Sequence, residues 1–155
     1  MTRLVFWAGP PVVGRATTIR RLAGEVCVEG EQAYRSAVAS FDYELAYSSL
    51  STQFYYSWRA QERPPGFDAV LALLRSAVAL VFVIDSQCER LEANATALQC
   101  LRADLRLCGR DLDRIPTVFQ LNKRDLPSAV GAEELSRRFS TERCIHLPTV
   151  ATSGA

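Results

Sequence analysis

Two short stretches bring together residues whose types and spacing could do chemistry. The first is the run Gly9-Pro-Pro-Val-Val-Gly14-Arg15-Ala16. Its glycine spacing is that of a phosphate-binding loop, in which backbone N–H groups and the following helix N-terminus hold an anion. Arg15 stands where such a loop carries its lysine, and Ala16 where it carries a serine or threonine. Arginine keeps the charge, but its planar fork is not equivalent to a compact ammonium. Alanine offers no hydroxyl to a magnesium ion, and Thr17 falls elsewhere on the helix. A plain strand-to-helix turn is the alternative reading. The second stretch is Asn122-Lys123-Arg124-Asp125. A carboxylate at Asp125 can accept two parallel hydrogen bonds from guanine N1–H and its 2-amino group, a donor pair that adenine lacks. Asn122 can bond the base edge and neighbouring loop backbone, and Lys123 can lay its methylene stem along the base plane. A polar turn in which Asp125 caps the next segment is the alternative here.

Chemistry at these positions requires elements that bring them to one place. Residues 3–9, RLVFWAG, read as a buried strand running into a turn. Residues 17–26 follow with Ile19, Leu22, Ala23 and Val26 at helical spacing, so the glycine loop lies at a strand–helix junction. The middle is rich in aromatic and β-favouring residues and predicts two strands joined by a turn near residues 48–51. Prolines at 64 and 65 break the pattern, and residues 67–76 predict a helix with Leu71, Leu73 and Leu74 as its apolar contribution. Residues 78–85, VALVFVID, are apolar on both faces, as a central parallel strand should be. A long helix over 89–107 ends at Gly109. Strands at 116–122 and 144–150 flank a short helix at 131–139. Alternating strands and helices predict an α/β fold with a mostly parallel sheet and helices on both faces. Ligands of such sheets bind at the carboxyl ends of the strands. The glycine loop, residues 122–125 and residues 151–154 all fall there.

The bulk numbers narrow the class. With 155 residues, 48% hydrophobic and 23% charged, the chain has the size of one domain able to bury a core. A net charge of +1 gives no basic surplus for nucleic acid or an anionic membrane. The longest apolar runs are too short to span a bilayer, and no secretory leader or cleavage site is expected at the N-terminus. Five cysteines without a CxxC pair fit reduced, cytoplasmic thiols, with Cys88, Cys100 and Cys108 expected in the core or on helix faces. The sequon at Asn94 lies in a helical pattern and is discounted. His146 is expected to be a satisfied core or edge residue, not a base.

Residues 81–130 resemble the bacterial gliding-motility GTPases of the MglA family, a branch of the Ras-like small GTPases. The resemblance covers strand, helix, strand and base motif in order, and extends imperfectly to the glycine loop; over residues 32–66 it is weak. It implies a P-loop GTPase fold, GTP or GDP as ligand, and a switch or adaptor in cell polarity or motility. By this likeness the nucleotide-binding residues are Gly9, Val13, Gly14, Arg15, Ala16, Thr17, Asn122, Lys123, Asp125, Ala151 and Thr152, with no metal ligand assigned. It also implies a dimeric roadblock-type (MglB-like) regulatory partner. The departures point to poor magnesium binding and to hydrolysis that is slow or absent. Val38 replaces the first switch's threonine and Gln61 the second switch's glycine; Gln61 or Glu62 lies near the water-positioning glutamine, with no catalytic role assigned to either. A pseudo-GTPase that serves as a protein-interaction scaffold is the alternative. The family's C-terminal helix is not expected before Ala155, and a partner or second copy is expected over the apolar groove this leaves.

Overall fold

The computed structural model describes residues 3–10, 13–14, 17–18, 40–45, 48–54 and 67–152. In chain order the elements are strands β1 (Arg3–Ala8), β2 (Ser40–Leu45) and β3 (Ser48–Phe54), helix α1 (Phe67–Ser76), strand β4 (Ala77–Asp85), helix α2 (Leu91–Leu107), strand β5 (Thr117–Asn122), helix α3 (Ala132–Arg138) and strand β6 (Cys144–Pro148). The six strands form one sheet in the order β2-β3-β1-β4-β5-β6. Only the β2–β3 pair is antiparallel; β1 pairs parallel with β3 and β4, and β5 with β4 and β6. The α/β class is as expected.

The two faces of β4 and β5 do different work. Phe6, Ala8, Leu80, Phe82, Ile84, Phe119 and Leu121 share one core with Val70 and Leu74 of α1 and Leu98, Leu101 and Leu105 of α2. Burying each large side chain there contributes about 1.5–3 kcal/mol. Opposite, Trp7, Val13 and Val83 form a smaller cluster beneath the glycine loop. Gln120 and Asn122 lie on that second face, because side chains alternate along a strand and Gln120 is in register with Val83.

Three expectations change. The turn near residues 48–51 is not a turn: Ser48, Ser49, Leu50 and Ser51 pair with Leu45, Glu44, Tyr43 and Asp42, so the connection falls between Leu45 and Ser48. Serine-rich composition mimics a turn but is tolerated in a strand whose ladder partners are supplied. The apolar face of α1 runs through Phe67, Val70 and Leu74, with Leu71 and Leu73 half-buried beside it. Cys88 is exposed on a 3₁₀ turn (Cys88–Arg90) instead of lying in the core. Its thiol donates to Glu89 and is held above its ordinary pKa by that hydrogen bond. Burial raises the Cys100 and Cys108 thiols, and Cys88, Cys100, Cys108 and Cys144 are all unpaired. Cys27 and residues 19–39 lie outside the described residues.

Helix ends are satisfied from elsewhere in the chain. After α2, Gly109 turns left-handed at φ 70°, and the Arg110 N–H reaches back to the Leu105 carbonyl at 2.9 Å. The Arg110 guanidinium then caps α1, with Nη1 2.6 Å from the carbonyls of both Leu74 and Ala77. His146 Nε2 sits 2.6 Å from the Phe139 carbonyl and its ring stacks on Phe119, a packing role. No helix among the described residues is long and apolar enough to cross a membrane.

Asn94 of α2 is fully buried, which removes it as a glycan acceptor. Its side chain closes a ring with the Asp85 backbone: Oδ1 accepts from the Asp85 N–H at 3.0 Å and Nδ2 donates to the Asp85 carbonyl at 2.8 Å. Asn94→Ala leaves both groups buried and unmatched and is expected to cost about 2–4 kcal/mol. The urea midpoint measured by circular dichroism checks this; an unchanged midpoint would exclude the brace.

Candidate nucleotide-binding site

The carboxyl ends of β1, β5 and β6 meet on one edge of the sheet, and one side chain ties them together. Asn122 ends β5 with 1% of its surface exposed. Its Nδ2 donates to the Val13 carbonyl at 2.8 Å, across 109 residues of chain. Its Oδ1 accepts from the Ala151 N–H at 2.8 Å. The glycine loop and the loop after β6 are thereby fastened to the same amide.

That fastening explains why Gly14 has no substitute. Gly14 adopts φ 93°, and a Cβ there would lie 2.3 Å from Asn122 Nδ2. Gly9 is constrained from the other side: at φ 145°, a Cβ would meet the Val83 carbonyl oxygen at 2.4 Å. Both glycines therefore let the backbone approach a neighbour where a side chain would intrude. Thr18 opens the following helix, its N–H and hydroxyl both donating to the Gly14 carbonyl at 2.9 and 3.1 Å. Thr17 is exposed in the same helical turn. Arg15 and Ala16 lie outside the described residues, as do Val38, Gln61, Glu62 and Ser153.

In the loop after β5, Lys123 sits at φ 62°, a left-handed backbone uncommon for a residue with a Cβ and costing on the order of 1–2 kcal/mol. Its ammonium is anchored: Nζ lies 2.7 Å from Asp85 Oδ2 and 3.3 Å from Gln87 Oε1. Asp85 is fully buried at the end of β4, in register with Asn122. Its carboxylate also accepts from the Gln87 N–H at 3.2 Å and lies 3.7 Å from Arg90 Nε. A buried carboxylate needs such partners, because desolvating an unpaired charge is prohibitive. Asp125 contrasts with it. Its carboxylate is exposed and makes no hydrogen bond or ion pair with any described residue.

The loop after β5 is clasped to its neighbours. The Ser86 N–H donates to the Asn122 carbonyl at 3.0 Å and the Val130 N–H to the Ser86 carbonyl at 2.8 Å. Arg124 Nη1 closes the loop on the Val130 carbonyl. Of the residues singled out in sequence, Val13, Gly14, Asn122 and Ala151 are brought into one hydrogen-bonded cluster, Thr152 follows it exposed, and Lys123 and Asp125 border it. Asp85, Gln87, Gln120 and Thr149 were not singled out. Only Asp85 left a signal, as a lone charge closing an apolar run.

Comparisons with known proteins give the family and the fold. No family model matches the chain. The mutual gliding-motility protein MglA of Myxococcus xanthus (strain DK1622) is 32% identical over 162 residues, covering 97% of this chain and 82% of that protein. The chain belongs to the MglA family of Ras-like small GTPases. Its fold matches that of the Arl6 (BBS3) small GTPase of Trypanosoma brucei, solved with the nucleotide analogue GppNp, at a TM-score of 0.69 and 18% identity. That likeness covers 100% of this chain and 90% of the other and places the MglA-family fold among the Ras-like GTPases.

For this MglA-family chain, Gly14→Ala forces a Cβ into Asn122 and strains a left-handed backbone. The expected loss is about 2–4 kcal/mol of stability. Thermal unfolding checks this; a variant that melts with the wild type would show that the Gly14–Asn122 contact is not close.

Proposed function

We propose that this chain is a guanine-nucleotide-binding switch or adaptor of the MglA type, serving bacterial cell polarity or motility. The observation that carries the reading is the Asn122 amide, which fixes a glycine loop and a base-side loop on one edge of the sheet. Beside it stands Asp125, an exposed carboxylate whose acceptors are uncommitted among the described residues. In this reading the backbone of residues 9–16 holds the phosphates, with Gly9, Val13 and Gly14 supplying close backbone approach and Arg15 the charge. Asp125 accepts the guanine N1–H and 2-amino protons. Lys123, its ammonium pinned by Asp85, offers its methylene stem to the base. Ala151 and Thr152 close the far side of the base, and the protein works in the cytoplasm.

The cradle fits a nucleotide better than it fits magnesium. Ala16 has no hydroxyl, and the Thr18 hydroxyl is committed to the Gly14 carbonyl. In this reading the chain's residues bind and orient the nucleotide, and the missing hydroxyl at Ala16 keeps hydrolysis slow or absent. The regulatory partner in this reading is a roadblock-type, MglB-like protein.

Titration with fluorescent GDP and GTP, with and without magnesium, tests the proposal. Competition by guanine but not adenine nucleotides at micromolar affinity is the expected outcome. Absence of binding at high micromolar protein would leave the scaffold reading in its place. Asp125→Asn turns one of the two carboxylate acceptors into a donor and should weaken GDP by roughly 10- to 100-fold. It should also favour xanthine nucleotides, whose carbonyl replaces the 2-amino group and can accept from the new amide. Restoring the loop with Arg15→Lys and Ala16→Thr should raise affinity in a magnesium-dependent way.

A further inference from the structure

Gln120 occupies the second face of β5, two residues before Asn122, and is 5% exposed. Its strand neighbours are Val83 and Leu147, so an apolar side chain would suit the position. A primary amide buried there costs free energy unless both of its N–H donors are matched. Both are matched, and by residues far away in the chain. Nε2 donates to the Thr18 hydroxyl at 3.1 Å and to the Thr149 hydroxyl at 3.1 Å, across 102 and 29 residues.

Neither hydroxyl ends the chain of contacts. Thr18 Oγ1 passes its own proton to the Gly14 carbonyl at 3.1 Å. Thr149 Oγ1 lies 3.4 Å from Asn122 Oδ1, and Asn122 Nδ2 returns to the Val13 carbonyl at 2.8 Å. Val13 and Gly14 share a peptide bond, so the circuit closes on itself. It runs from the glycine loop to the helix start, across β5 to the last loop, and back. Buried polar networks of this kind strengthen as a unit and resist partial opening.

We propose that Gln120 is a positioning residue that makes capture of the phosphates and capture of the base cooperative. It touches no ligand. It holds the first helical turn behind the phosphate loop at a fixed distance from the loop that flanks the base. With the bridge formed, contacts made by either half of the nucleotide hold the opposite loop in place for the other half. The inference rests on the guanine-nucleotide reading above and adds to it a coupling that Asn122 alone does not give, since Asn122 reaches the glycine loop but not the helix.

The test is a set of GDP affinities, by competition against fluorescent GDP, with a melting temperature for each full-length variant. Gln120→Met keeps the length and removes both donors. It should weaken GDP about tenfold, within the roughly 5- to 150-fold range typical of coupling between sites. Thr18→Val and Thr149→Val should each weaken GDP, with the double variant little worse than either single one, because each already opens the bridge. In the Q120M background the same two substitutions should add independently. Thr18→Ser, which keeps the hydroxyl, should bind like the wild type. Q120M that binds GDP within twofold of wild type, whatever its melting temperature, overturns the proposal. So do additive effects of T18V and T149V with Gln120 present, a result that decides the matter even if Q120M does not fold. Wild-type protein that binds no guanine nucleotide overturns the reading of the preceding subsection and this one with it.

Discussion

Asn122 presents the interior with an amide that must be matched on both its oxygen and its nitrogen. With 1% of its surface exposed, it cannot turn to water for either. The Val13 carbonyl and the Ala151 N–H meet that demand. Much of the surrounding geometry follows. Gly14 must lack a side chain, because the amide occupies the space. Strand β5 must hold its register with β4 and β6, or the amide would face the wrong carbonyl. A one-residue slip would send Gln120 and Asn122 into the apolar core under α1 and α2 and turn Phe119 and Leu121 away from it.

Around this amide the buried and exposed polar groups divide their roles. Asp85, Asn94, Gln120 and Asn122 are all in the interior, and each is spent on protein contacts. They set positions. Asp125 and Thr152 lie at the surface nearby, and the Asp125 carboxylate keeps its acceptors open toward solvent among the described residues. Preorganisation of this type reduces what a ligand must order when it binds. The strained backbone of Lys123 belongs to the same scheme. Its side chain is tied by an ion pair to the buried Asp85 carboxylate, which also meets the Gln87 N–H and Arg90.

Much of the fold was legible in the sequence because hydrophobic period reports burial directly. The continuous apolar run of β4 and the leucine spacing of α2 both name their own environment. The glycine spacing was legible for a similar reason, since it states a local backbone need. The bracing residues were not. Gln120 reads as one polar residue in a strand, and nothing local reveals that its partners stand 102 residues upstream and 29 downstream. Asn94 reads as one polar residue in a helical pattern, with nothing local to mark it as a buried clamp on β4. Nothing local marks Arg110 as the cap of a different helix. The serines of β3 read as a turn, although ladder pairing overrides composition. Each miss is a side chain or backbone whose role is decided by a partner remote in sequence.

That remoteness has a kinetic consequence. The contacts that complete the site join residues 13 and 18 to residues 122 and 120, spans of 109 and 102 residues. Closing such spans is entropically expensive, and folding slows as the mean separation of contacting residues grows. Helices α1 and α2 and strand β4 between them have nearby partners. The glycine loop, though made at the start of synthesis, has to wait for the end of β5 and for Ala151 to leave the ribosome before its carbonyl finds the amide that fixes it. This edge of the sheet therefore needs the chain through Ala151 before all of its hydrogen bonds can form.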